Sequence, residues 1–211
     1  MPAQPPWLII ACTGKPSCLR GRVSSNVRHH ELHPLALDLP TSVESTRLRA
    51  LLPTDLANFA AYRADPALAE YQSWEPMEHD AAKSFLAETA QATHFNPGGW
   101  IQLAIADVRT DELLGDVGLF LSEDSSYAEL GFTLARTSQG KGHATRAALL
   151  AIEQLFRVEA VREVRAVTDQ LNQASVAVLR RVGFVQTSAR EAVFKGKPCV
   201  ELLFARVRGD A

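Results

Sequence analysis

Cysteine is scarce: Cys12, Cys18 and Cys199 are the only three in 211 residues, an odd number at wide spacing that gives no disulfide framework. Cys12 and Cys18 with His30 and His33 match none of the common zinc-ligand spacings, so no metal is expected. Positive charge is not in excess either. Against 24 Asp and Glu stand 22 Lys and Arg, a formal charge of -2, which supplies no drive for sequence-independent binding to phosphate backbones. Long hydrophobic runs are missing as well. The apolar stretch at 7–12 falls far short of the roughly 20 residues that span a bilayer, and no Lys or Arg precedes it as in a signal peptide. The expectation is a cytoplasmic protein that binds neither nucleic acid nor membrane.

What is present is an ordinary globular composition, 46% apolar and 22% charged. Proline is unevenly spread, with Pro2, Pro5, Pro6, Pro16, Pro34 and Pro40 all in the first forty residues, where periodicity is weak. Residues 1–41 therefore read as an N-terminal extension and 42–211 as one domain. The regular pattern begins with a short strand at 46–51, then Pro53-Thr54-Asp55 as a helix start. Asp65-Pro66 ends that helix, and a second one is predicted over 78–93 from Ala81, Ala82, Phe85, Leu86 and Thr89. Strands at 100–108, 113–121 and 127–135 form an antiparallel meander, with Trp100 assigned to the core.

Beyond the meander the period changes to that of a helix over 142–158, followed by a strand at 163–168 and a helix at 172–182 closed by Gly183. Two strands, 184–194 and 199–207, end the chain, joined by Lys195-Gly196-Lys197-Pro198. The most informative segment lies between the third meander strand and the long helix: Gln139-Gly140-Lys141-Gly142-His143-Ala144. Small residues at a helix start let an anion approach free backbone N–H groups at the positive end of the helix dipole. A Walker-type loop is excluded, because Gly142 follows Lys141 where Ser or Thr is needed and Ala135 replaces the first glycine. The dinucleotide fingerprint fits Gly140, Gly142 and an acid at Asp169, but has Thr145 at its third glycine and the wrong surrounding topology.

The same six residues match the Q/R-x-x-G-x-G/A signature of the GNAT superfamily of N-acetyltransferases, and the chain resembles that family in a second block. Asn172-Gln173-Ala174-Ser175 leading to Arg181-Val182-Gly183-Phe184 is similar to its N-x-x-S/A helix ending in G-F. With Tyr71-Gln72-Ser73-Trp74-Glu75-Pro76 and Ala128-Glu129-Leu130-Gly131-Phe132, it is most similar to the branch of RimJ/RimL-like ribosomal-protein N-terminal acetyltransferases. The resemblance covers about residues 42 to 209. It implies a mixed α/β fold, a twisted, mostly antiparallel sheet flanked by helices and parallel where it splays around a cofactor.

The resemblance further implies acetyl-CoA as cosubstrate and a primary amine, either a peptide N-terminus or a small molecule, as acceptor. Phe132, Thr133 and Leu134 are then expected along the pantetheine arm, and Gln139, Gly140, Lys141, Gly142, His143, Ala144 and Thr145 around the pyrophosphate. Asn172 is either a cofactor contact or a plain helix cap. Alternation along the third meander strand sets Glu129 beside Gly131, about a strand length before the phosphate loop, and makes it the candidate base. Ser175 is the candidate donor to the departing thiolate, since the position where many members of the family carry a tyrosine acid is Leu179 here. Tyr71 and Trp74 are candidates for the acceptor pocket or for packing. The protein is expected to be a monomer or homodimer. A module that binds CoA without chemistry, and a dinucleotide-binding protein, are the alternatives.

Overall fold

The computed structural model describes residues 35–89 and 94–209. Strands β5 (Trp100–Asp107) and β6 (Leu113–Leu121) are buried on both faces, which is why they read as nearly continuous apolar runs. They pair with each other, and β6 pairs with β7 (Tyr127–Leu134), as the expected antiparallel meander. The preceding strand β3 (Thr46–Ala50) pairs with β5, and β2 (Thr41–Val43) forms a hairpin with β3. A two-residue strand, β1 (Leu35–Ala36), pairs separately with β4 (His94–Phe95). The segment between β1 and β2 docks through the Asp38 N–H, which donates to Gln154 Oε1 at 2.9 Å. Residues 1–34, with the histidine and cysteine positions weighed for zinc, lie outside the described part, as do 90–93 at the end of the second predicted helix.

Helix α1 (Leu56–Arg63) ends at Asp65-Pro66 as expected, but the same pair opens a further turn, α2 (Pro66–Ala69). Proline at the first helical position has no N–H to lose, and Asp65 Oδ1 accepts from the Ala67 N–H at 2.9 Å. Helix α3 (His79–Thr89) lies with α1 on one face of the sheet, around Leu51, Phe59, Tyr62, Phe85, Leu86 and Ala104. Helix α4 (His143–Arg157) covers the other face, its Ala147, Ala148, Ala151, Ile152 and Leu155 meeting Ile101, Leu103, Val117, Leu119 and Leu130. The two-residue alternation of the strands thus feeds two separate cores.

Strand β8 (Glu163–Asp169) follows α4, and helix α5 (Gln173–Arg181) follows β8. The chain closes with β9 (Val185–Phe194) and β10 (Lys197–Val207). Lys195 and Gly196 make a two-residue turn with φ of 49° and 75°, the left-handed geometry that matches strand twist. β9 ends at Phe194 as the sequence pattern suggests, whereas β10 begins two residues earlier than expected, because Pro198 sits beyond the point where β8 stops pairing at Glu201 and so loses no ladder bond there.

The sheet order is β2-β3-β5-β6-β7-β8-β10-β9, antiparallel throughout except between β7 and β8. That parallel pair is short: only Tyr127, Ala128 and Glu129 of β7 meet Glu163, Val164 and Arg165 of β8. Beyond Glu129 the strands part, and residues 130–134 have no β8 partner. No helix among the described residues is long and apolar enough to cross a membrane.

Candidate functional site

The parting of β7 from β8 exposes one backbone edge of residues 130–134, whose polar groups require partners from outside the sheet. Helix α4 begins at the far end of this edge. Gly142, just before it, has φ of 80°, and Gly140 has φ of 73°, conformations that side chains other than glycine rarely adopt. The turn they make leaves the first N–H groups of α4 without intrahelical acceptors, facing outward. Gln139 fixes the approach to the turn by donating from Nε2 to the Leu134 carbonyl at 3.1 Å.

Between edge and helix lies a cleft of about 1010 Å³. It brings together Phe132, Thr133 and Leu134 of β7 with Gln139, Gly140, Gly142, His143, Ala144 and Thr145 of the turn. Asn172 and Ser175 from α5 form the opposite wall, and Tyr71 closes it from the stretch after α2. A narrow void of about 20 Å³, room for about one water, continues the cleft between the parted strands. Leu130, Gly131, Thr168, Ser175, Leu179 and Tyr71 surround it, and the buried Thr168 hydroxyl there has no hydrogen-bond partner.

Three candidates stand elsewhere. Lys141 is exposed and turns away from the cleft, donating to the Thr137 carbonyl at 2.7 Å. Trp74 is buried under the Arg63 guanidinium, 4.6 Å from its ring centroid, and lines no part of the cleft. Glu129 points to the opposite face of the sheet from α4, in line with Phe120 on β6 and Arg165 on β8. Burial pushes its carboxyl above the ordinary value, and Arg165 acts in the opposite direction. Trp100, assigned to the core from sequence, is half-buried on this same face, its ring 5.3 Å from that of Phe120. Gly118 and Gly131 are paired beside them, leaving the face without side chains at its centre.

Asn172 is the cap of α5, its Oδ1 accepting from the Ser175 N–H at 3.2 Å, and it lines the cleft with its amide nitrogen not needed for that cap. His143 is buried, with Nδ1 2.9 Å from Thr46 Oγ1, and burial followed by the nearby Arg146 holds its pKa below the usual value. The sequence signal missed the surroundings of Arg146. Its guanidinium bonds Ser45, Thr46 and the Lys141 carbonyl and pairs with Glu44 at 3.2 Å, fastening the β2–β3 turn to the glycine loop. Arg136, Arg146 and Arg181 line the cleft against the single carboxylate of Glu44, a balance that favours an anion. Gln72, from the quoted Tyr71–Pro76 block, also lines it, as do Leu68 and Leu149, which no local motif marks.

Comparison with known proteins agrees with this geometry. An acetyltransferase (GNAT) domain model matches residues 46–185. The curated Bacillus subtilis protein YkkB is 33% identical over 89 residues, 41% of this chain and about half (52%) of its own length. Among solved structures, a GNAT-family acetyltransferase from Bacillus anthracis superposes with a TM-score of 0.71 at 14% identity, covering 82% of this chain and 98% of that one. Spermidine N-acetyltransferase from Vibrio cholerae, solved with CoA and spermine, gives 0.67 at 19% identity, covering 79% and 97%. RimL, a ribosomal L7/L12 alpha-N-protein acetyltransferase solved with CoA, gives 0.67 at 18%, covering 78% and 95%. At these identities the structural likenesses establish the fold.

Proposed function

The chain belongs to the acetyltransferase (GNAT) family, and on that premise we propose that it transfers the acetyl group of acetyl-CoA to a primary amine. The observation that carries this reading is the parting of β7 and β8 into a cleft that ends at the glycine turn and the start of α4. An extended chain with amide groups satisfies the exposed edge of β7, and a pyrophosphate satisfies the N–H groups of the turn. Three arginines at the cleft suit the phosphate charges of CoA.

In this reading the thioester lies where the cleft narrows beside Gly131, and the amine arrives from the opposite face, past Glu129. Glu129 takes a proton from the incoming ammonium, freeing the neutral amine to attack, or from the tetrahedral intermediate that the attack forms, directly or through a water. A β7 backbone N–H meets the oxyanion, and Ser175 donates to the departing thiolate. Burial suits Glu129 to the task, since a raised pKa brings a carboxylate nearer to that of the proton it removes. RimL and spermidine N-acetyltransferase, which share this fold, suggest two acceptor classes, peptide α-amines and polyamines. An α-amine, with a reference pKa of about 7.7–8.0, asks less of the base than an alkyl amine near about 10.4.

The test is thiol release from acetyl-CoA in the presence of either spermidine or a short peptide with a free serine N-terminus. Turnover of one of them, lost in Ser175→Ala with CoA binding retained, is the expected result. CoA binding without release of thiol by the wild type contradicts the catalytic reading and leaves a CoA-binding module.

A further inference from the structure

The tip of the β9–β10 hairpin crosses to the wall of the cleft. β9 is exposed along most of its length, so burial does little to fix where its end lies. Side-chain contacts do so instead. Lys195 Nζ donates to the carbonyls of Ala69 at 2.9 Å and Trp74 at 2.8 Å, and pairs with Glu75 at 3.2 Å. Two of the three ammonium donors go to carbonyls and the charge faces a carboxylate, all within one short segment. The two carbonyls flank Tyr71 and Gln72, so the lysine closes this irregular stretch into a ring, with the Gln72 N–H also donating to Ala69 O at 3.0 Å. Tyr71 and Gln72 are the two residues of that stretch that line both the cleft and the narrow void.

We propose that Lys195 is a positioning residue that staples the Tyr71–Gln72 wall from the hairpin tip and thereby sets how the acceptor amine is held. The role rests on the acetyl-transfer reading above, because the wall borders the place where thioester and amine would meet. The staple approaches from the hairpin, away from the glycine turn that would hold the pyrophosphate, so its loss acts on the acceptor more than on acetyl-CoA. A lysine is suited to this work because three separate oxygens in a cup match a compact ammonium better than a planar fork.

The experiment compares wild type, Lys195→Met and Lys195→Arg, using whichever of spermidine and the serine peptide the wild type turns over faster. Lys195→Met is expected to raise the acceptor KM about tenfold while the acetyl-CoA Kd stays within about twofold, and Lys195→Arg to recover part of the loss. Hydrogen exchange, which needs no acceptor, is expected to show faster exchange at the amides of 70–75 in Lys195→Met, with α4 unchanged. Glu75→Gln, which removes the charge from one partner of three, is expected to move both readouts less and in the same direction. Unchanged exchange overturns the staple. An acceptor KM within twofold of wild type, or an equal loss of acetyl-CoA affinity, overturns the positioning role. Absence of wild-type turnover with both amines overturns the acetyl-transfer reading and the acceptor role with it, while exchange still reports on the staple.

Discussion

Glu129 sits between two opposed influences, burial that favours its neutral form and an arginine across the strand pair that favours the charged one, and burial prevails. The folded pKa is raised above the unfolded value, so the ionised carboxylate costs folding free energy at neutral pH, and that cost disappears as pH falls below the unfolded pKa. Glu129→Gln is therefore predicted to raise the thermal midpoint at pH 7, to lose that gain below the ordinary carboxylate range, and to slow turnover about a hundredfold. A thermal scan against pH beside the thiol-release assay checks all three. Glu129 was legible in the sequence because alternation along one strand placed it next to Gly131. Its partner Arg165 was not, since the two meet only through the short parallel pairing.

At the scale of elements, the start of α5 hangs on one side chain. Asn172 accepts from the Ser175 N–H, and Asn172→Ala is predicted to cost about 1 kcal/mol in urea unfolding, whereas Ser175→Ala leaves that cap in place. Helices α4 and α5 begin and end within a residue of the sequence reading, because glycine, asparagine and the 3.6-residue period are local signals. The contacts that shape the cleft are not local. Arg146 reaches Thr46, 100 residues away, and Lys195 reaches Trp74, 121 residues away, so neither leaves a mark in any window of sequence. Lys141 shows the converse, a residue inside the strongest motif whose side chain turns outward to a neighbouring carbonyl.

For the whole molecule, the sheet carries two cores on opposite faces, and the layer of α1 and α3 is fastened by a buried carboxylate. Asp116 on β6 accepts from Arg63 at 2.8 Å, from Gln102 at 2.5 Å and from the Tyr62 hydroxyl. Burial, then the charge of Asp116, holds that hydroxyl well above its usual pKa and so protonated. Asp116→Ala strands the Arg63 guanidinium, and is predicted to lower unfolding free energy by about 3–5 kcal/mol in a urea titration. The fold class followed from the order of strands and helices, but the splay between β7 and β8 came only from the resemblance, since strand pairing is a property of the assembled sheet.

That splay and the glycine turn make the central claim, a site for acetyl-CoA, and isothermal titration tests it most directly. Gly140 is the position to change: a side chain added there meets no protein atom within 4 Å, whereas one at Gly142 meets Arg146 at 2.8 Å. Gly196→Glu serves as control, because it imposes the same left-handed strain at the hairpin tip with the same open space. The account predicts that the wild type and Gly196→Glu bind acetyl-CoA and that Gly140→Glu does not, its carboxylate standing where the pyrophosphate would lie. A folded wild type that fails to bind acetyl-CoA, or a Gly140→Glu variant that binds it as well as wild type, would contradict it.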